Sequence, residues 1–363
     1  MNIYYQKEKF YFKMNRRIFL KKSFFAGLLL GEDLFASNHH KGKYHFIMPP
    51  KPFEYHIKEG KEKGGKILII GGIHGNEEGG YKASDILIDT KIKKGTVAIL
   101  ARSNPESIFT NIRGYNGDMN RKFAHISKRD RDYYKVNSIK NFINDFKPDL
   151  ILSLHDGYGF YRKYHNQWGE SIVIDEAVYN HIPLYNIAKK VSKHLQYHKL
   201  SIPIHNTKTF EKITRHKEQR KSLTYYALES HNIPAFCIEA SKQTHIKRKV
   251  NIHLRSIEKF FELYNVSIEP SFDYIISNLD KYLISQKPKI IAHINNEKII
   301  IQNHKVLKIP PTEIKFEIQN TRGGGLIARS VNVNYSSFHY RNNIKFYVKN
   351  DNKTIFTFKI IKG

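Results

Sequence analysis

The 363-residue sequence has one cysteine, one tryptophan and few acids: 33 Asp and Glu against 61 Lys and Arg. A single cysteine, Cys237, excludes an intramolecular disulfide framework and any cysteine-based zinc cluster. It lies in the apolar run 235–239 (AFCIE) and reads as a small core residue rather than a nucleophile. No apolar run reaches the roughly 18–20 residues that cross a bilayer as a helix, so no stable membrane span is expected. Internal repeats and low-complexity tracts are absent as well. The shortage of acid leaves a net charge of +28, which favours anionic partners such as nucleic acid, acidic membrane or cell-wall polymer. A solvated lysine-rich surface produces the same balance, so no specific nucleic-acid partner is inferred. What is present is enough for a core. Hydrophobic residues make up 40% and charged residues 26%, at a length that suits two or three domains.

Residues 1–36 read as an export signal. Met14 offers a second start, with residues 1–13 upstream of it. Arg16, Arg17, Lys21 and Lys22 form a basic region before the apolar stretch 23–31 (SFFAGLLLG), and Ala36 offers a small residue for cleavage. The run 15–21 also resembles a twin-arginine signal. Removing residues 1–36 takes away seven Lys and Arg and three Asp and Glu, leaving about +24, so the basicity belongs to the mature protein. From Lys66 onward, strand and helix patterns alternate. Apolar strand runs occur at 66–71, 96–100, 149–154, 171–174 and 235–239; Val136, Ile139 and Ile143, and later Val250, Leu254, Ile257 and Phe261, follow helical spacing. The expected fold is α/β, with a mixed, mostly parallel sheet flanked by helices. Pro270 and Pro288 bracket a change of texture, and only strand patterns follow. The expected domains are 37–265 (catalytic), 266–288 (linker) and 289–363 (a small all-β, sandwich-type module).

Three groups of residues carry chemistry. In the glycine-rich run 71–80 (GGIHGNEEGG), His74 and Glu77 stand three apart on a turn that follows a strand. His155 ends another strand run. Parallel strands would deliver all three to one crevice at their carboxyl ends, where imidazole and carboxylate suit zinc at about 2.0–2.2 Å. Three protein ligands leave a position for water, which is a catalytic arrangement. The loop 111–123 carries two arginines and an asparagine, suited to a carboxylate. Glu239 ends the strand 235–239 facing the same crevice, where a carboxylate can move a proton. Asp156 either orients an imidazole or caps the next turn.

These motifs resemble the carboxypeptidase A-like zinc metallopeptidase superfamily. The runs HGNE at 74–77 and DMNRKF at 118–123 are similar to its N-acyl amino-acid deacylases, of the succinylglutamate desuccinylase and aspartoacylase type. The export pattern, the run 155–160 (HDGYGF) and the β tail resemble instead the periplasmic peptidoglycan D,L-carboxypeptidases that determine helical cell shape. The resemblance implies His74, Glu77 and His155 as ligands of Zn2+, Glu239 as general base and acid, and Arg113 as the holder of the scissile carbonyl. It implies Asn120 and Arg121 as the grip on a free α-carboxylate, and Trp168 and Thr224 as pocket walls. Some cell-shape members carry glutamine at the first ligand position, where this chain has His74. Some also have two domains after the catalytic one, where this sequence has room for one.

The implied activity is zinc-dependent trimming of peptidoglycan stem peptides, tripeptide to dipeptide with release of diaminopimelate, in the periplasm. The implied partners are peptidoglycan muropeptides. The alternative is a zinc-dependent N-acyl amino-acid deacylase, which shares the metal site but whose small substrates are cytosolic. A non-enzymatic, basic wall-binding or nucleic-acid-binding protein with a vestigial metal site is disfavoured by the complete set of ligands, base and arginines. No sequence pattern fixes an oligomeric state.

Overall fold

The computed structural model describes residues 9–13, 44–46, 55–283, 289–294, 297–309, 313–319, 331–336 and 343–363. It divides into two compact units, one of residues 50–284 and one of residues 1–49 with 285–363. Strands β1 (Lys9–Lys13) and β2 (Tyr44–Phe46) belong to the second unit. The first unit begins with β3 (His56–Glu59), β4 (Glu62–Gly71), α1 (Glu78–Ile88) and β5 (Lys91–Leu100). There follow α2 (Pro105–Thr110), a single turn at Met119–Arg121, α3 (Tyr133–Phe146), β6 (Leu150–Gly157) and β7 (Ser171–Ile174). Next come α4 (Leu184–Tyr197), β8 (Ile204–Asn206), α5 (Leu223–His231), β9 (Ala235–Ser241) and α6 (Ile246–Leu263). The unit closes with β10 (Ser267–Glu269), α7 (Phe272–Ser277) and α8 (Leu279–Leu283).

Its eight-stranded sheet has the order β10-β5-β4-β6-β9-β7-β8, with β3 also paired to β5. The central ladders β5–β4, β4–β6 and β6–β9 are parallel. Strand β7 is antiparallel to β9, and β3 and β10 are antiparallel to β5. The sheet is therefore mixed and mostly parallel, as the alternating pattern implies. The reason is visible in β6, whose residues are all buried: a continuous apolar run suits a strand covered on both faces. One face, with Ile67, Ile69, Leu152 and Ile238, packs under α1, α4 and α6. The other, with Leu68, Ile70, Ile151 and Ala235, packs against Met119, Phe123 and α3. Side chains alternate along a strand. On this second face the series Ile151, Ser153, His155 and Ala235, Cys237, Glu239 thus turns from apolar to polar toward the carboxyl ends.

The pattern that ends the catalytic region at residue 265 stops short of the folded unit. Phe272, Ile275 and Leu279 pack into the first core. In the second unit, β11 (Lys289–Ile294), β12 (Glu297–Ile301), β13 (Val306–Ile309), β14 (Glu313–Gln319), β15 (Val331–Ser336), β16 (Asn343–Asn350) and β17 (Lys353–Lys362) form two sheets. Their orders are β1-β14-β11-β12 and β13-β17-β16-β15-β2. Ile290 and Ala292 of one sheet share a core with Phe346, Val348, Phe358 and Ile360 of the other, giving the sandwich its two layers. Residues 9–13, inside the run that reads as an export signal, pair with β14 as β1. Residues 14–36, with the basic and apolar parts of the export pattern, lie outside the described residues. No described helix is long and apolar enough to cross a membrane.

Candidate metal centre and active site

The ligand turn is built by close packing. After β4, Gly72 takes φ +71°, a left-handed conformation that favours glycine. A Cβ on Gly75 would stand 1.9 Å from the carbonyl carbon and oxygen of Ser107, so only glycine fits there. The turn then enters α1 at Glu77, whose side chain makes no capping bond. Asp156 supplies an anchor instead: its Oδ2 accepts from the Gly79 amide at 2.7 Å, and its Oδ1 faces His253 Nε2 at 3.0 Å. Asp156 therefore serves the turn and not a ligand imidazole. Glu77 remains free to face the crevice.

Three side chains converge there. His155 Nδ1 lies 2.8 Å from Glu77 Oε2, His74 Nδ1 lies 3.1 Å from Glu77 Oε1, and the two Nδ1 atoms are 3.1 Å apart. All three residues are buried. Each imidazole directs its other nitrogen outward: His74 Nε2 to Asp118 Oδ1 at 2.8 Å, and His155 Nε2 to Ser153 Oγ at 2.9 Å. The Asp118 contact fixes the proton on His74 Nε2 and turns the Nδ1 lone pair inward. Two imidazole nitrogens and a carboxylate facing one another form a donor set that a cation between them would complete. A tetrahedral ion with bonds near 2.0–2.1 Å sets its ligands about 3.3 Å apart, close to the spacing here. The donor set fits a divalent metal.

Charge in the crevice is divided unequally. Burial opposes the charged form of His74, but the Glu77 charge and the bond to Asp118 outweigh it and raise its pKa. Burial keeps His155 low despite Glu77. Glu77 is held well below the usual carboxylate range, because the two histidines overcome its burial. Glu239, opposite His155 in the β6–β9 register, is pushed well above that range by burial and by the Glu77 charge. Its Oε1 accepts from Cys237 Sγ at 3.4 Å, and its Oε2 is buried with no hydrogen-bond partner among the described residues. The Cys237 thiol is driven well up by burial and by Glu239, in keeping with a core residue.

Arg113 reaches Glu77 Oε1 with Nη1 at 3.3 Å and Asp118 Oδ2 with Nη2 at 3.0 Å. Lys242 Nζ, which no motif singles out, is 3.2 Å from Glu77 Oε1. In the next turn, Asn120 Oδ1 accepts from the Leu223 amide at 3.0 Å, which leaves its amide NH2 as the donor. Arg121 Nη1 donates to Asn120 O at 3.1 Å. Thr224 is buried, with its hydroxyl 3.1 Å from Ser222 Oγ. Trp168 is half-buried and meets His205 and His216 edge-on, at 4.7 and 5.5 Å between ring centres. The structure brings His74, Glu77, His155, Arg113 and Glu239 together. It joins them to Asn120 and Arg121 through Asp118, whose Oδ1 accepts from the Asn120 backbone N–H at 2.9 Å.

A second group, His194, His198 and Glu258, has ligand atoms within 4.8 Å of one another. There Arg255 Nη1 already lies 2.7 Å from Glu258 Oε2, so a guanidinium neutralises the carboxylate.

A family model described as carboxypeptidase controlling helical cell shape, catalytic, matches residues 51–284. Solved structures of the cell shape determinant protein Csd4 from Helicobacter pylori are similar to this chain. A variant with glutamine replaced by histidine is 26% identical, with a TM-score of 0.66 over 85% of this chain and 77% of that one. The tripeptide-bound form is 25% identical, with a TM-score of 0.67 over 85% and 77%. The mDAP-bound form, described as a D,L-carboxypeptidase, is 24% identical, with a TM-score of 0.62 over 84% and 76%. None of the curated proteins matches the chain.

Proposed function

As a member of the family of carboxypeptidases that control helical cell shape, the chain is, we propose, a zinc-dependent D,L-carboxypeptidase of the periplasm. It shortens peptidoglycan stem tripeptides to dipeptides and releases diaminopimelate. The observation that carries this reading is the meeting of the His74, Glu77 and His155 donors within 2.8–3.1 Å, beside a Glu239 oxygen that has no hydrogen-bond partner among the described residues. The tripeptide bound to the similar Csd4 protein supports the substrate class. The run 14–36 supports export, and the basic surface suits an anionic wall.

His74, Glu77 and His155 would hold the zinc. When bound, zinc supplies Lewis acidity and a water acidic enough to attack at neutral pH. Glu239, whose Oε2 has no hydrogen-bond partner among the described residues, takes the proton of the attacking water and delivers it to the leaving amine. Arg113 swings from its carboxylate partners to hold the scissile carbonyl and the negative charge that develops on it. Arg121 and the free Asn120 amide grip the terminal α-carboxylate, which makes the cleavage exo. Trp168 and Thr224 form walls of the pocket for the terminal residue.

The test is digestion of isolated muropeptides by zinc-loaded protein, with products weighed by mass spectrometry. Loss of one diaminopimelate from tripeptides, absent in Glu239→Ala, is expected. Hydrolysis of small N-acyl amino acids with tripeptides left intact would assign the site to the deacylase reaction instead.

A further inference from the structure

One buried carboxyl near the site has no role in this mechanism. Strand β7 runs antiparallel to β9, with Ser171 opposite Glu239 and Val173 opposite Cys237. Residues two apart on a strand share a face. Asp175, just past the end of β7, therefore continues the row Ser171, Val173 on the face that carries Glu239 and His155. It is 3% exposed. The hydroxyls of Thr224 and Thr209 and the charge of Arg121 favour its carboxylate form, and its own charge acts on Cys237. Among the described residues no side-chain cation forms an ion pair with it. Burial holds its pKa up at about 6, against the opposing hydroxyls and Arg121.

The carboxyl is not needed to tie the chain here. The Asp175 carbonyl already accepts the Thr209 amide at 2.7 Å, and the Ile174 carbonyl accepts the Thr207 amide at 3.0 Å. A buried carboxyl that lacks a cation is costly unless something completes it. It stands beside Thr224, and beside the arginine that grips a terminal carboxylate.

We propose that Asp175 is a specificity residue that pairs with an ammonium group on the side chain of the C-terminal residue, as on diaminopimelate. The inference rests on the reading that Asn120 and Arg121 hold that residue's α-carboxylate. One end of the residue is then fixed by a cation and the far end by an anion, so a terminal residue of lysine-like reach with a distal amine is selected over one without it. Thr209 and Thr224 orient the carboxylate by donating to it.

The test compares zinc-loaded wild type and Asp175→Asn on two tripeptides, one ending in diaminopimelate and one in 2-aminopimelate, which lacks the distal amine. Asparagine is nearly isosteric and still accepts from the two threonines, and metal content and melting temperature report the fold. Wild type is expected to prefer diaminopimelate by roughly thirtyfold or more in kcat/KM, mostly through KM. In Asp175→Asn the preference falls to near unity, while kcat on the 2-aminopimelate substrate stays close to wild type. A preference that survives in Asp175→Asn, or is absent from wild type, overturns the proposal and leaves the peptidase reading intact. Calorimetric binding of the two free amino acids to the same zinc-loaded proteins separates the other failure. If no tripeptide is cleaved but diaminopimelate still binds more tightly than 2-aminopimelate, and only with Asp175 present, the peptidase reading fails and Asp175 stands. If wild type binds neither, Asp175 falls too.

Discussion

Two charge clusters in the α/β unit, each built around buried carboxylates, are balanced in opposite ways. Around Asp132, every charge has a partner from the chain. Lys122 Nζ lies 2.8 Å from both Asp130 and Asp132, Lys135 Nζ lies 2.7 Å from Glu106 and 3.3 Å from Asp132, and Asn116 donates to Asp132 at 3.1 Å. Around His155 the books do not close: two imidazole nitrogens face each other at 3.1 Å, and a Glu239 oxygen is left unpartnered. A buried charge that serves folding brings its own counter-charge. One that serves chemistry leaves its donors for a ligand to complete, and that separates a site from a structural knot more sharply than burial alone.

The largest effect that would sharpen this contrast is removal of the metal. Chelation, or His155→Ala, is expected to abolish peptide cleavage and bound zinc together, measured by turnover and elemental analysis. The Asp132 cluster should not respond, so the far-ultraviolet spectrum stays unchanged. Next comes Glu239→Gln. It keeps the shape and removes the carboxylate proposed to accept the proton, so kcat should fall by about a thousandfold while zinc stays stoichiometric. Zinc loss in that variant would place Glu239 among the ligands and not beside them.

The knot should fail differently. Lys122→Met leaves Asp132 buried and short of a cation, and breaking such a pair costs about 3 kcal/mol. Denaturant unfolding should register that loss, with zinc affinity and kcat little changed. A smaller effect is expected where the metal cluster depends on an outer partner. Asp118→Asn removes the charge that orients His74, and zinc affinity should drop by about tenfold to a hundredfold by competition titration. Equal affinity in wild type and variant would mean the imidazole is positioned by packing alone.

Much of this contrast is legible in the sequence, because the central strands are continuous apolar runs that end in the reactive residues. His74 and Glu77 follow one such run, His155 another, and Glu239 a third, so a parallel sheet alone predicts their meeting. What stays hidden is what long-range packing decides. Asp118 sits inside a motif quoted for its arginines, yet it orients a histidine 44 positions away. Asp156 follows a ligand in sequence but turns to Gly79 and His253. Asp175 and Lys242 belong to no motif, and only strand register and chain reversal bring them to the site. The short strands β8, β10 and β13, of three or four residues, are too brief for an alternating pattern to stand out. Helices α7 and α8 follow a proline that suggests a boundary.

The smallest expected effect tests the knot through pH. Burial works against the Asp132 carboxylate, but Lys135, Lys122 and Asn116 outweigh it and hold its pKa below the ordinary aspartate value. A carboxyl whose pKa is lower in the folded state than in the unfolded one stabilises the fold while the pH is above the unfolded value. That contribution is lost as the pH falls through the folded value. Asp132→Asn should therefore be less stable than wild type at neutral pH, and the gap should narrow below about pH 4 as the unfolded carboxyl of the wild type takes up its proton. Urea midpoints of both proteins across pH 3 to 7, at constant ionic strength, measure this. A gap that stays constant over that range would mean that Asp132 acts by shape and hydrogen bonding rather than by charge. The two clusters would then differ only in what they bind, and not in how their charges are held.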